Sequence, residues 1–280
     1  MVRAFEDPDC IHVNGEVDPA SDAEIVNLEL VLADLAHVER RLEKATCDGE
    51  ERRMLERICA GLREGAPARA LGLTDDVTSH PVIRSMGLLT LKPVVYAFNV
   101  DEVDFVLDRA TAAARAAEVL ATLPHCNAEG DAHALVSARL EADVATRDDA
   151  EQIAYLTDTL GIGASELGRP LSELLSYNVL PCLVREMLGL HLVYTGPGVP
   201  PERSRTTRTH LVRPGITAEG LAARIHGDIQ RGFVKAEVVQ AAALVEQGCY
   251  SACKDAGRVR IEGRAYKLSD NDVCCVRWNA

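Results

Sequence analysis

Hydrophobic positions along the chain change period several times, and each change marks an element. Val2–Phe5 and Ile11–Val13 are short apolar pieces separated by Glu6-Asp7-Pro8-Asp9, the pattern of a strand, a turn and a further extended piece. A chain that opens inside a strand, with no earlier element to pair with it, points to a truncated domain. From Ser21 the period lengthens. Ser21-Asp22-Ala23-Glu24 is a capping-box pattern that predicts a helix start. Ile25, Leu28, Leu32, Leu35, Val38 and Leu42 then recur at helical spacing, Gly49 interrupts, and Met54, Ile58 and Leu62 resume until Gly65-Ala66-Pro67. Two amphipathic helices joined near Gly49 make an antiparallel hairpin, although two ordinary core-packed helices give the same periodicity.

After a loop around Gly72–Ser85, Leu88-Leu89-Thr90-Leu91 and Val94–Phe98 read as strands on either side of Lys92-Pro93. Ala110–Leu123 is alanine-rich and helical, and Ala134-Leu135-Val136 reads as the next buried strand, followed by Ser137-Ala138-Arg139. Strand, helix, strand is a βαβ unit of a parallel sheet, with its ligand edge at the carboxyl ends of the strands, where Asn99 and Ser137 fall. Ala150–Leu190 reads mainly as helices, broken at Gly161–Gly163 and Gly168-Arg169-Pro170. Beyond about residue 190 the character changes again. Thr206–Val212, Val234–Val239, Val259–Ile261, Tyr266–Leu268 and Val273–Trp278 are strand-like and Thr217–Ile225 is a short helix, which together predict a compact β-grasp-sized module.

Composition narrows the function. The formal net charge of −13 argues against a generally DNA-binding surface, since phosphate neutralisation needs clustered Lys and Arg. At 4% aromatics, extended stacking platforms for single-stranded nucleic acid are not expected. The chain's 280 residues, 47% of them hydrophobic, fit a globular protein of about two or three domains. No apolar run approaches membrane-spanning length and Met1–Cys10 is too charged for a signal peptide. The nine cysteines, at 10, 47, 59, 126, 182, 249, 253, 274 and 275, form no C-x-x-C, and Cys249 and Cys253 lack a second ligand pair for zinc. Reduced thiols in a cytoplasmic protein are the expectation.

The chemistry-bearing stretch is Val94–Glu102, VVYAFNVDE. A strand-end Asn99 can hydrogen-bond a purine edge, and Glu102 can accept from an exocyclic amine or buttress the pocket. A polar turn after a strand produces the same letters. GTP-binding folds carry Asn-Lys-x-Asp here, whereas this chain has Val100 and the longer acid Glu102, which weakens the case for guanine. Ser137-Ala138 follows the next strand, where such folds set a backbone amide beside the base. No Gly-x-x-x-x-Gly-Lys-Ser/Thr occurs anywhere, so the base-reading half of a nucleotide site is present without its phosphate half. Asp158-Thr159-Leu160-Gly161 matches a magnesium-loop pattern but lies inside a helical stretch. His226 and Asp228 suggest acid–base work or, with no paired nucleophile, a structural turn. Arg203, Arg205, Arg208 and Arg213 can contact RNA phosphate or simply be solvated.

In this order, these pieces resemble the YchF subfamily of Obg-related P-loop ATPases, the Obg-like ATPases. Val2-Arg3-Ala4-Phe5-Glu6 with Ile11-His12-Val13 is similar to the family's strand after its magnesium loop. Val17-Asp18-Pro19, Asn27-Leu28-Glu29-Leu30 and Leu32-Ala33-Asp34-Leu35 resemble the start of its helical insertion. Leu89-Thr90-Leu91-Lys92-Pro93 and Asn99-Val100-Asp101-Glu102 resemble its characteristic strand and adenine-reading motif. Arg231-Gly232-Phe233-Val234-Lys235-Ala236-Glu237-Val238, Gly257-Arg258-Val259-Arg260-Ile261-Glu262-Gly263 and Asp272-Val273 resemble its TGS domain.

The resemblance implies an α/β fold: a partial P-loop-type parallel-sheet domain (1–20 and 85–190) with a coiled-coil hairpin insertion (21–84), then a β-grasp-like TGS domain (191–280). It implies ATP as the nucleotide, with Asn99, Val100, Glu102, Ser137 and Ala138 around the adenine, and the ribosome or ribosomal RNA as partner. The family's phosphate loop, switches and catalytic histidine would precede Met1, so no catalytic residue is assigned and the family's Mg²⁺ has no ligand here. The expectation is weak adenine-nucleotide binding without hydrolysis, and a partner over the sheet's open side. The alternative is a non-enzymatic ribosome- or RNA-binding scaffold. A native protein extending upstream with a phosphate loop would instead be an ordinary ATPase.

Overall fold

A computed structural model describes residues 1–13, 15–44, 49–126, 131–161, 170–196 and 207–279. They divide into two units, Met1–Val184 and Arg185–Ala280.

In the first unit, β1 (Val2–Arg3), β2 (Val95–Asn99) and β3 (Ala132–Val136) form a parallel sheet in that order. Between β1 and β2 lie α1 (Pro19–Leu42), α2 (Gly49–Arg63), α3 (Asp75–Ser79) and α4 (Pro81–Met86). The crossover from β2 to β3 carries α5 (Glu102–Val106) and α6 (Arg109–Thr122), so the expected βαβ unit is present. After β3 come α7 (Ala138–Val144), α8 (Asp149–Leu160) and α9 (Ser176–Met187). Register sets Arg3 opposite Asn99 and Asn99 opposite Val136, a row of three at the carboxyl edge of the sheet. Beneath it Phe98, Phe105, Leu140 and Val144 are almost fully buried. Ala112 and Ala116 give α6 a small-residue face that is buried in the same core.

The helical segment differs from its sequence reading in instructive ways. The α1 cap is Asp18, whose carboxylate accepts from the Ala20 and Ser21 N–H groups, with Pro19 opening the first turn; Ser21 lies inside the helix. Of the expected apolar stripe, Val38 is fully buried, while Ile25, Leu28 and Leu32 stand about half exposed. The core seam of α1 runs through Val31 and Val38, with Leu35 and Leu42 of the expected stripe packed against it, beside Leu55, Ile58 and Leu62 of α2; Asp34 is buried on the same helix. Two short helices, α3 and α4, occupy the stretch read as a loop. Leu88–Leu91 forms no strand. It is an irregular segment held by Asp34, whose buried carboxylate accepts from Leu89 N (2.9 Å), Thr90 N (2.7 Å) and Thr90 Oγ1 (2.7 Å). The apolar letters there reflect burial, and a side-chain acceptor satisfies the backbone instead of a ladder. Ile11–Val13 is likewise not extended structure in a sheet, and both apolar side chains are exposed.

The second unit is a mixed sheet in the order β5-β4-β8-β6-β7, built from β4 (His191–Thr195), β5 (Arg208–Val212), β6 (Phe233–Gln240), β7 (Arg260–Glu262) and β8 (Asp272–Trp278). Helices α10 (Ala218–Ile225) and α11 (Gly227–Arg231) precede β6, and α12 (Ala241–Gln247) and α13 (Tyr250–Asp255) follow it. Leu221 and Ala222 of α10 join Val193, Ala236, Val238 and Cys274 in one core; Tyr250 and Cys253 of α13 join Val239, Val273 and Cys275 in a second. Gly232 has a clear reason: a side-chain carbon there would collide with the carbonyl of Asn279, whose N–H donates to Gly232 O beside the β6–β8 pair. Tyr266–Leu268 makes no strand, only a single bridge between Lys267 and Thr217.

Candidate functional site

The carboxyl edge of the parallel sheet gathers the polar residues. Asn99 ends β2, and its Oδ1 accepts from the Ala138 N–H at 2.9 Å, the first amide of α7. A helix leaves its first N–H groups without intrahelical partners, so Asn99 caps α7 from a neighbouring strand. This commits the carbonyl end of the Asn99 amide and leaves its NH₂ end as a donor. Val100 is buried and extends the ladder, donating its N–H to Val136 O at 2.9 Å. Asp101 caps α5 by accepting from Asp104 N at 2.7 Å. Glu102 opens α5 with its side chain largely enclosed, and Arg139 Nε lies 3.0 Å from its Oε1.

Facing them is the segment that leaves β1. Phe5, Glu6, Asp7, Pro8, Asp9 and Cys10 form one wall of a cleft of about 420 Å³, whose other wall is Asn99, Val100, Asp101, Glu102 and Arg139. Arg3 holds the outer wall in shape. Its guanidinium donates to Phe5 O (3.1 Å), Cys10 O (2.8 Å) and Asp7 O (3.4 Å) and lies 4.7 Å from the Phe5 ring centre. Farther along, His12 Nε2 meets Asp22 Oδ2 at 2.8 Å, which ties the segment to α1.

The cleft's charge indicates what fits it. Five carboxylates, from Glu6, Asp7, Asp9, Asp101 and Glu102, share it with one guanidinium. A phosphate chain is repelled by such a wall, whereas a neutral heterocycle with both donors and acceptors at its edge is not. The cleft volume falls within the range of small-molecule sites. The residues present therefore suit a nucleobase. No cluster of three or more His, Cys, Asp and Glu suited to a metal ion exists among the described residues.

Of the residues singled out by sequence, Asn99, Val100 and Glu102 come together on the cleft. Ser137 and Ala138 do not line it. Ser137 is fully buried, and its hydroxyl has no hydrogen-bond partner among the described residues; Ala138 reaches the site only through its amide on Asn99. Sequence reasoning missed Arg139 and the Arg3-held segment. The signal for Arg139 was its place three residues past the strand end, on the edge that carries Asn99.

The remaining candidates are structural. Asp158 lies within α8 and Gly161 ends that helix in the left-handed region, with φ of 69°. His226 is the cap of α11, its Nδ1 accepting from Asp228 N. Cys249 caps α13, and burial raises the thiol pKa of Cys253. Arg208 and Arg213 are exposed, while Arg203 and Arg205 lie outside the described residues, as does Cys47. No described helix is long and apolar enough to cross a membrane.

Comparison with known proteins agrees across the chain. Residues 203–279 match the family described as YchF-GTPase_C, a protein of unknown function (DUF933). The chain is 31% identical to the ribosome-binding ATPase YchF of Bacillus subtilis (strain 168), with 100% of this chain and 72% of that protein aligned. It is 34% identical to the ribosome-binding ATPase YchF of Haemophilus influenzae, with the same coverage. The solved structure of the Schizosaccharomyces pombe YchF GTPase, 25% identical, superposes with a TM-score of 0.75 over 99% of this chain and 70% of that one.

Proposed function

Because the chain belongs to the YchF family, whose members include ribosome-binding and Obg-like ATPases, we propose that it binds an adenine nucleotide by its base and acts on the ribosome in the cytoplasm. The observation that carries the base site is Asn99: its carbonyl is consumed by the Ala138 amide, so its NH₂ group is left to donate to a purine ring nitrogen at the mouth of the cleft. Val100 supplies an apolar floor and the Glu102 carboxylate an acceptor for the exocyclic amine. In this reading residues 1–20 and 85–190 are the nucleotide domain, 21–84 its helical hairpin insertion and 191–280 a TGS domain that meets ribosome or ribosomal RNA.

Phosphoryl transfer depends on positioned phosphate donors and a metal. The 280 residues contain no phosphate-loop motif, so this polypeptide by itself binds the base weakly and turns over no ATP. Calorimetric titration with ATP tests the base site. Binding in the millimolar range or tighter that is lost in Asn99→Ala supports it, and equal binding by both proteins refutes it. ATP turnover abolished by Asn99→Ala would refute the loss of hydrolysis.

The family match of the C-terminal residues 203–279 and the helical hairpin support a second reading, a scaffold that contacts the ribosome with no nucleotide role. Co-sedimentation with ribosomes in the absence of any ATP binding is the outcome that selects it.

A further inference from the structure

The second unit holds a cleft whose charge is the reverse of the first unit's. The base cleft has five carboxylates in its walls, in keeping with a chain of formal net charge −13. The other cleft, of about 420 Å³, is lined chiefly by Thr195, Arg208, Ile225, Ile229, Val276 and Trp278, and no carboxylate lines it. The topology brings these residues together. Thr195 pairs with Arg208 across β4–β5 and with Cys274 across β4–β8. Side chains alternate along a strand, so Thr195, Arg208, Cys274, Val276 and Trp278 share one face of the sheet, the face whose core includes α10. Ile225 ends α10 and Ile229 lies in α11, and these two side chains complete an apolar wall.

Two of the lining side chains are exposed and carry recognition chemistry. Trp278 is the chain's single tryptophan and is 40% exposed. Arg208 makes no side-chain hydrogen bond or ion pair among the described residues, whereas Arg139 at the base cleft is committed to Glu102. Thr195 Oγ1 lies 2.7 Å from His210 Nε2. Burial, followed by the Arg224 and Arg208 guanidinia, holds the pKa of His210 below its ordinary value, so this end of the sheet is electrostatically positive. An indole packs against a planar ring, and a guanidinium fork donates two parallel hydrogen bonds to a carboxylate or phosphate. A cationic ligand meets like charge at Arg208, and an uncharged one leaves the fork unused.

We propose that the Arg208–Trp278 cleft of the second unit is a binding site for a small aromatic molecule that carries an anionic group, an aryl phosphate or carboxylate. Its volume suits one such molecule. The site is independent of the base cleft, because every residue that lines it belongs to the second unit.

The test titrates the 280-residue chain with phenyl phosphate, benzyl alcohol and benzylammonium, read by calorimetry and by the emission of Trp278, which as the single tryptophan localises the event. Phenyl phosphate is expected to bind in the millimolar range or tighter and to change the emission. The other two are expected to bind about tenfold more weakly or worse, the scale of one charge-assisted hydrogen bond. Arg208→Gln is expected to remove that preference, Arg208→Lys to keep part of it, and Arg213→Gln, an exposed arginine outside the lining, to leave it intact. The probe series on the wild-type chain decides the proposal even where a variant melts early. Equal binding of the three probes, no saturable binding below about 10 mM, or a preference that survives Arg208→Gln overturns it. Displacement of the probe by hexauridylate RNA at a lower concentration than by uridine 5′-monophosphate assigns the cleft to RNA and overturns the small-molecule reading.

Discussion

Asn99 serves two ends with one carboxamide: its oxygen caps α7, and its nitrogen is the donor proposed for the base. Loss of a cap typically costs about 0.5–2 kcal/mol, so Asn99→Ala is expected to lower stability by about 1 kcal/mol as well as weakening ATP. Chemical denaturation alongside the titration separates the two effects. Next to it, Ser137 buries a hydroxyl without a partner among the described residues. An unsatisfied buried polar group costs about 1–3 kcal/mol, so Ser137→Ala is expected to be neutral or stabilising. A clear loss of stability in the denaturation midpoint would mean the hydroxyl has a function of its own. These residues were partly legible in the sequence. An apolar run ending in a polar side chain fixes a strand end, which located Asn99 and Glu102. The pattern could not reveal that Arg139 would meet Glu102, because that contact joins helix starts after two different strands, and exposed arginine carries no periodic signal.

At the scale of elements, legibility followed how strongly burial imposes a period. The continuous apolar run Val94–Phe98 gave the strand β2, on which Tyr96 and Phe98 are buried and alternate with half-buried neighbours. Leu88–Leu91 has the same apolar density, but its backbone is taken up by Asp34, an acidic residue that reads as surface. β4, with the letters HLVYT, follows a helical stretch without a turn signal strong enough to separate it, and α12 is rich in alanine with little contrast between its faces. Two predictions belong here. Asp34→Ala strands two backbone N–H groups and the Thr90 hydroxyl, and is expected to cost about 3 kcal/mol or more in urea denaturation, the sum expected for buried donors left unpaired. In the second unit, burial, followed by Arg224 and Arg208, lowers the His210 pKa below its ordinary value. The unfolded chain then binds the extra proton, so His210 costs nothing at neutral pH and withdraws stability as pH falls through about 6.5. His210→Gln is expected to flatten the pH dependence of the second unit's melting between about pH 7.5 and 5.5; an unchanged slope counts against it.

At the scale of the whole molecule, each of the two units has its own cores and its own sheet, one parallel and one mixed. The mixed sheet depends on a single strand. β8 pairs with β4 on one side and β6 on the other, so deleting Asp272–Trp278 leaves β5–β4 and β6–β7 as two separate pairs. Isolated two-stranded pairs are marginal in water. Loss of amide protection in β4 and β6, followed by hydrogen exchange with β2 and β3 recorded in the same sample, is the expected result. The position of β8 also imposes an order in time. A ribosome makes β8 after the other four strands of its sheet, so a nascent chain carries four strands with no common partner until the middle one emerges, whereas the three described strands of the parallel sheet have all been made by Val136. Domains generally fold from the N-terminal side during synthesis. The three described strands of the parallel sheet are therefore all available on the translating ribosome while the mixed sheet stays open, exposed to chaperones and proteases, until β8 has emerged.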